Sequence, residues 1–117
     1  MTTHHLIEAT CPECRGPLTE VRDDGIVEYT CLVGHRYSPT ALLHAHAETQ
    51  ERVLWSAVVA LEEAQNLVAA VAPQLPPPVR SSLKSEAEEK SRQAGTIREI
   101  LGHLTPFRTE KYDGLPQ

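Results

Sequence analysis

Three cysteines and one histidine carry the chemistry of this chain: Cys11-Pro-Glu-Cys14, a gap of sixteen residues, then Cys31-Leu-Val-Gly-His35. The first pair has C-x2-C spacing and the second C-x3-H. Three thiolates and one imidazole are the four donors that a tetrahedral Zn²⁺ takes. The 117 residues hold no other cysteine, so no thiol is left over. A disulfide between two of them would strand the third. A redox C-x2-C would be followed by a thioredoxin-like βαβ pattern, which does not follow here. An iron cluster would take four thiolates. The expectation is one structural Zn²⁺ held by Cys11, Cys14, Cys31 and His35. His4, His5, His44 and His46 compete for the fourth place. His35 is favoured because it shares a turn with Cys31, so closing that ring costs little chain entropy.

Bringing the two pairs together requires the chain to reverse between them. Leu18 to Val21 and Ile26 to Thr30 read as strands, and Asp23-Asp24-Gly25 between them reads as a hairpin turn. Gly16 and Gly34, beside the ligand pairs, are the residues expected to supply positive φ for the ligand turns. This is the layout of a zinc ribbon or knuckle over residues 1–38 with one β-hairpin. Such a module is too small to bury a self-sufficient core. A structural zinc, whose binding energy counts as folding energy on the order of 10–16 kcal/mol, makes up the deficit. Tyr29 and Tyr37 flank the second ligand pair and are expected to pack around the metal.

The rest of the chain reads as helix. Ser38 is an N-cap candidate and Pro39 suits the first helical position. No glycine or proline interrupts residues 40–72, enough for a helix of about 50 Å. Its apolar positions Leu43, Ala47, Leu54, Ala57, Leu61, Ala64, Val68 and Val71 alternate by four and three, with Gln50 in one slot. Leu42, Val53, Trp55, Val58 and Val59 widen that stripe. Prolines 73 and 76–78 end the helix and turn the chain. A second helix is expected over about 79–104, with Leu83, Ala87, Lys90, Ala94, Ile97, Leu101 and Leu104 on its seam. The two helices pair as an antiparallel hairpin over 39–104. Residues 105–117 read as a tail in which Phe107, Tyr112 and Leu115 are candidates for docking. The fold class expected is therefore small α+β: a zinc ribbon followed by a long antiparallel two-helix hairpin.

Charge narrows the partners. The chain carries −5 overall, and residues 1–38 hold three arginines against six acidic residues. Zinc modules that bind nucleic acid do so with basic surfaces, so nucleic-acid association is the less favoured reading. No apolar run nears the roughly twenty residues that span a bilayer. Zinc-bound thiols without an evident targeting segment fit a reducing cytoplasm. The apolar surplus around Trp55, Val58, Val59 and Leu67 points to a protein partner or to self-association.

The run Cys11-Pro-Glu-Cys14-Arg15-Gly16-Pro17-Leu18, followed by Tyr29-Thr30-Cys31-Leu32-Val33-Gly34-His35-Arg36-Tyr37-Ser38, resembles a known extension. It is similar to the zinc-binding C-terminal segment of some bacterial chemotaxis-type protein-glutamate methylesterases, the CheB group. There too a C-x-V-G-H-x-Y-S stretch leads into a long Ala/Leu/Glu-rich helix. The similarity covers roughly residues 10 to 70 and implies metal-ligand roles for Cys11, Cys14, Cys31 and His35. It does not imply methylesterase activity, because the chain has no G-x-S-x-G elbow and no phosphate-cradling glycine loop. The function expected is a non-catalytic, zinc-binding adaptor or regulatory protein. The alternative is a zinc- or redox-responsive sensor whose ribbon unfolds on metal loss. An enzyme would need an open coordination position beside a pocket. Glu13 and His44, near the site, could be named as an acid and a base, and both read better as charged surface residues.

Overall fold

The computed structural model describes residues 1–108. Four strands come first: β1 (Thr2–Thr10), β2 (Pro17–Asp23), β3 (Ile26–Thr30) and β4 (Arg36–Tyr37). They form one antiparallel sheet in the order β1-β2-β3-β4. Two helices follow, α1 (Pro39–Val71) and α2 (Pro77–His103), joined through a 3₁₀ turn at Ala72–Gln74. The fold is small α+β, as the sequence implied. The described residues divide into two compact units, residues 1–50 with Thr105–Arg108, and residues 51–104. The division falls inside α1 and not at residue 38.

The β2–β3 hairpin closes with a two-residue loop. Asp23 pairs with Ile26, and Asp24 and Gly25 have φ of 51° and 82°. Two successive positive φ values make a type I′ turn, whose twist suits the flanking strands. β1 is an addition to the expected hairpin. It pairs with β2 from Thr2↔Asp23 to Thr10↔Pro17, with a bulge between Leu6 and Thr10. Only Ile7 of its nine residues is even partly buried, so β1 lacks the in–out alternation that marks a strand. Backbone pairing to β2 makes it a strand. The core of this unit is Cys11, Leu18 and Cys31, with Ile7, Tyr29, Tyr37 and Leu42 packed against it. Two of its three buried residues are therefore cysteines.

α1 starts where sequence chemistry dictates. Ser38 Oγ accepts the Ala41 N–H at 3.2 Å, and the Ser38 carbonyl accepts the Leu42 N–H. This satisfies an otherwise orphaned donor of the first turn. α2 begins at Pro77, two residues before the expected start at 79, because proline is tolerated in a helix's first turn. Arg80 ties the inter-helix loop by donating to the carbonyls of Leu75 and Pro73.

In the helical unit Val58, Ala87 and Ala94 are buried, and Leu54, Leu61, Ala64, Val68, Leu83, Ile97 and Leu101 are half-buried. Glu62 and Arg98 pair between the helices. The seam differs from the expected one in particular places. Leu43, Gln50 and Val71 are exposed, whereas Val58 and Ala72 are turned inward. A straight helix at 3.6 residues per turn drifts about 20° per heptad, which moves the buried stripe off a strict 4-3 register. On α2, Ser91 and not Lys90 faces inward. Trp55, Val53, Val59 and Leu67 remain about half exposed or more. Phe107 is also exposed, while Tyr112 and Leu115 lie outside the described residues. No described helix is long and apolar enough to cross a membrane.

Candidate metal centre

Two tight turns present the four candidate side chains. In the first, the Cys11 N–H donates to the Gly16 carbonyl at 2.7 Å and the Arg15 N–H donates back to the Cys11 carbonyl at 2.8 Å. Arg15 adopts the left-handed conformation here, with φ of 65°. Gly16, expected in that role, does not have positive φ, so the turn reverses one residue earlier. In the second turn the Gly34 N–H donates to the Cys31 carbonyl and the Cys31 N–H to the His35 carbonyl, each at 3.2 Å. Gly34 supplies the positive φ expected of it, at 107°. The β2–β3 hairpin carries the second turn back beside the first.

The outcome is a cluster of Cys11 Sγ, Cys14 Sγ, Cys31 Sγ and one His35 ring nitrogen, all within 4.8 Å of one another. All three cysteines are free thiols. His35 Nδ1 lies 3.3 Å from Cys31 Sγ and 3.5 Å from Cys11 Sγ. The four side chains together could hold one metal ion. Cys11 and Cys31 are buried, Cys14 is exposed and His35 is half-buried, so the cluster is open to solvent on the Cys14 side. Among the described residues, His4, His5, His44 and His46 do not join it.

Electrostatics divide the thiols. Burial pushes Cys31 up, but the backbone N–H of His35, the Cys14 side chain and the N–H groups of Val33 and Gly34 outweigh it and bring the thiol down to about 6. One of these contacts is direct, the His35 N–H donating to Cys31 Sγ at 3.3 Å. Cys11 is likewise lowered: burial opposes ionisation, and the Tyr37 hydroxyl and the N–H groups of Cys14 and Glu13 favour it. For Cys14 the Gly16 N–H lowers the pKa, but burial and the two neighbouring sulfurs raise it more. His35 is raised, chiefly by Cys31. Thiolates stabilised by backbone N–H groups are the ionisation state a metal requires.

Two residues that the spacing did not single out as functional also face the cluster. Glu13 Oε2 lies 3.3 Å from His35 Nε2 and accepts the Tyr37 hydroxyl at 2.9 Å. That hydroxyl is also 3.4 Å from Cys11 Sγ, and its pKa is raised by burial and by these two acidic neighbours. The only sequence signal for Glu13 was its place inside the C-x2-C pair. Tyr37 was expected as packing, and its ring does lie against the head's core. Thr49 on α1, which donates to the Pro12 carbonyl at 3.1 Å, carried no signal at all. Comparison of the chain with protein-family models, with curated proteins and with solved structures returns no match.

Proposed function

We propose that the chain is a non-catalytic adaptor whose N-terminal head is clasped by one structural Zn²⁺ and whose helices bind another protein. The observation that carries this reading is the convergence of three thiols and His35 Nδ1. Zinc–sulfur bonds of about 2.3 Å and a zinc–nitrogen bond of about 2.0–2.1 Å, at tetrahedral angles, separate sulfur from nitrogen by roughly 3.5 Å. The two nitrogen–sulfur distances here are 3.3 and 3.5 Å. Four protein donors fill a tetrahedral ion and leave no open position for substrate, which favours a structural role. The head's small core, with Leu18 its only fully buried aliphatic side chain, supports dependence on metal. The exposed Val53, Trp55, Val59 and Leu67 support a partner-binding role for the helices. Free thiols suit a reducing cytoplasm. We read the Cys11–Ser38 motif as kin to the CheB-group extension.

Native mass spectrometry of reduced protein tests the site. The expected result is one zinc per chain, with an X-ray absorption spectrum of three sulfurs and one nitrogen. Reduced, folded protein that takes up no zinc when offered it would end the reading. Cys14→Ser should weaken binding sharply and loosen the sheet. An affinity capture repeated with zinc-loaded and chelated protein then tests the adaptor role. A partner held equally well by Val53→Asp/Trp55→Asp protein would exclude the helical surface.

A second reading, a redox-responsive switch, is favoured by the exposure of Cys14. Bound to zinc, Cys14 would be a thiolate whatever its metal-free pKa, and solvent-accessible thiolates are the ones that oxidise. Zinc release at low peroxide, reversed by reductant and accompanied by partner loss, would favour it over the adaptor.

A further inference from the structure

We infer that Glu13 is a positioning residue of the metal centre: its carboxylate faces His35 Nε2, holds the ring proton on that nitrogen as the acceptor for Nε2–H, and so leaves Nδ1 to the metal. The inference rests on the zinc reading above and adds which ring nitrogen binds and what selects it.

The geometry is one-sided. Nδ1 faces the Cys31 and Cys11 sulfurs at 3.3 and 3.5 Å. Nε2 faces Glu13 Oε2 at 3.3 Å. A neutral imidazole carries one proton. With that proton on Nδ1, the Nε2 lone pair would point at a carboxylate, two acceptors with nothing between them. With it on Nε2, the carboxylate is satisfied and the Nδ1 lone pair points into the cluster of sulfurs. Fixing the tautomer by a carboxylate on the far nitrogen is a general device for histidine ligands.

Glu13 is itself held. The Tyr37 hydroxyl donates to the same Oε2 at 2.9 Å. One carboxylate oxygen thus accepts the Tyr37 hydroxyl and also lies 3.3 Å from His35 Nε2. Charge argues against the plainer view of Glu13 as a solvated surface acid. Three thiolates with Zn²⁺ leave the centre at −1, and a further carboxylate nearby is repelled unless it satisfies a donor. Glu13 accepts the Tyr37 hydroxyl and faces His35 Nε2. Its side chain is 59% exposed, which weakens the contact through solvent screening. The effect therefore belongs near the low end of the range of 10–100-fold in metal affinity typical of such partners.

The test is competitive zinc titration of four full-length proteins: wild type, Glu13→Ala, Glu13→Gln and Glu28→Ala. Glu28 is a carboxylate of the same sheet that pairs with Arg36 and does not touch the cluster, so its variant controls for lost charge. Glu13→Ala should bind zinc about tenfold more weakly. Glu13→Gln, whose amide oxygen still accepts from Nε2, should recover most of that loss, and Glu28→Ala should match wild type. Long-range ¹H–¹⁵N spectra of the zinc-loaded proteins give a second readout. In wild type the His35 proton should sit on Nε2, and in Glu13→Ala the ring should show mixed or reversed ligation. Unchanged affinity together with an unchanged ring spectrum in Glu13→Ala overturns the inference, as does a wild-type proton on Nδ1. Wild-type protein that takes up no zinc in the same titration would instead sink the zinc reading itself, and this inference with it.

Discussion

Thr49 Oγ1 donates a hydrogen bond to the Pro12 carbonyl at 3.1 Å, joining residues 37 apart in sequence. Both residues are buried. Pro12 sits between the first two cysteines, and Thr49 lies in the third turn of α1, so the bond ties the first ligand turn to the helix. A mid-helix threonine ordinarily reads as a weak helix former. Here its hydroxyl meets the carbonyl of Pro12 in the first turn of the head.

Thr49→Val keeps the shape of the side chain and removes the hydroxyl. The Pro12 carbonyl then loses this donor in a buried place, which typically costs about 1–3 kcal/mol. Urea denaturation of the metal-loaded protein should show that loss, and Thr49→Ser should restore most of it. Equal stability of the valine variant and wild type would mean that the bond contributes nothing.

The two ligand turns differ in which residue tolerates a side chain. Gly34 has φ of 107°, and a Cβ there would meet nothing within 4 Å. Gly34→Ala should therefore destabilise the head by backbone strain alone, about 1–2 kcal/mol. Gly16 has no positive φ, and its added Cβ would sit 3.4 Å from Cys14 Sγ, an ordinary contact. Gly16→Ala should be nearly neutral. Thermal melts of the two alanine variants under identical zinc decide the matter, and similar melting shifts would contradict the assignment.

Cys31 should ionise first among the thiols of the metal-free protein. Its pKa lies at about 6, against an ordinary 9.0. A thiol with a lowered native pKa favours the folded state most strongly above about pH 9. That contribution shrinks as the pH falls and is gone once the pH passes below about 6. Acid should therefore loosen the metal-free head over that window. Cys14, whose pKa is raised, should ionise last. Cβ chemical shifts of labelled cysteine, followed against pH, report each thiol separately. Simultaneous titration of Cys31 and Cys14 would refute the order.

Adjacent valines on α1 should behave oppositely. Val58 is 1% exposed and Val59 is 54% exposed. Val58→Ala should cost about 2 kcal/mol through lost burial and the cavity left behind. Val59→Ala should stay within about 0.5 kcal/mol, as surface changes usually do. Helical circular dichroism followed through a melt separates the two. If Val59→Ala instead lowers stability as much as Val58→Ala, Val59 is covered in solution.

Local rules made much of this legible. The Asp24-Gly25 turn followed from the residues alone, because few types accept two positive φ values in succession. Ser38 and Pro39 marked the start of α1 because a hydroxyl cap and a pre-set φ act within one turn. The place of Val58 in the seam was not legible. Several apolar residues surround it, and helix drift decides which of them faces inward.

The sequence by itself singled out Cys11, Cys14, Cys31 and His35 as the residues that could hold a metal, since residue type and loop spacing are properties of short segments. It also determined the hairpin between the pairs and the two helices. Tertiary structure alone decided that Thr2–Thr10 is a strand, because pairing to β2 supplies what its side-chain pattern lacks. It alone brought Glu13 and Tyr37 onto the same side of His35 and Thr49 onto Pro12. Such contacts are set by where separate turns and helices end in space, and no spacing rule along the chain encodes that.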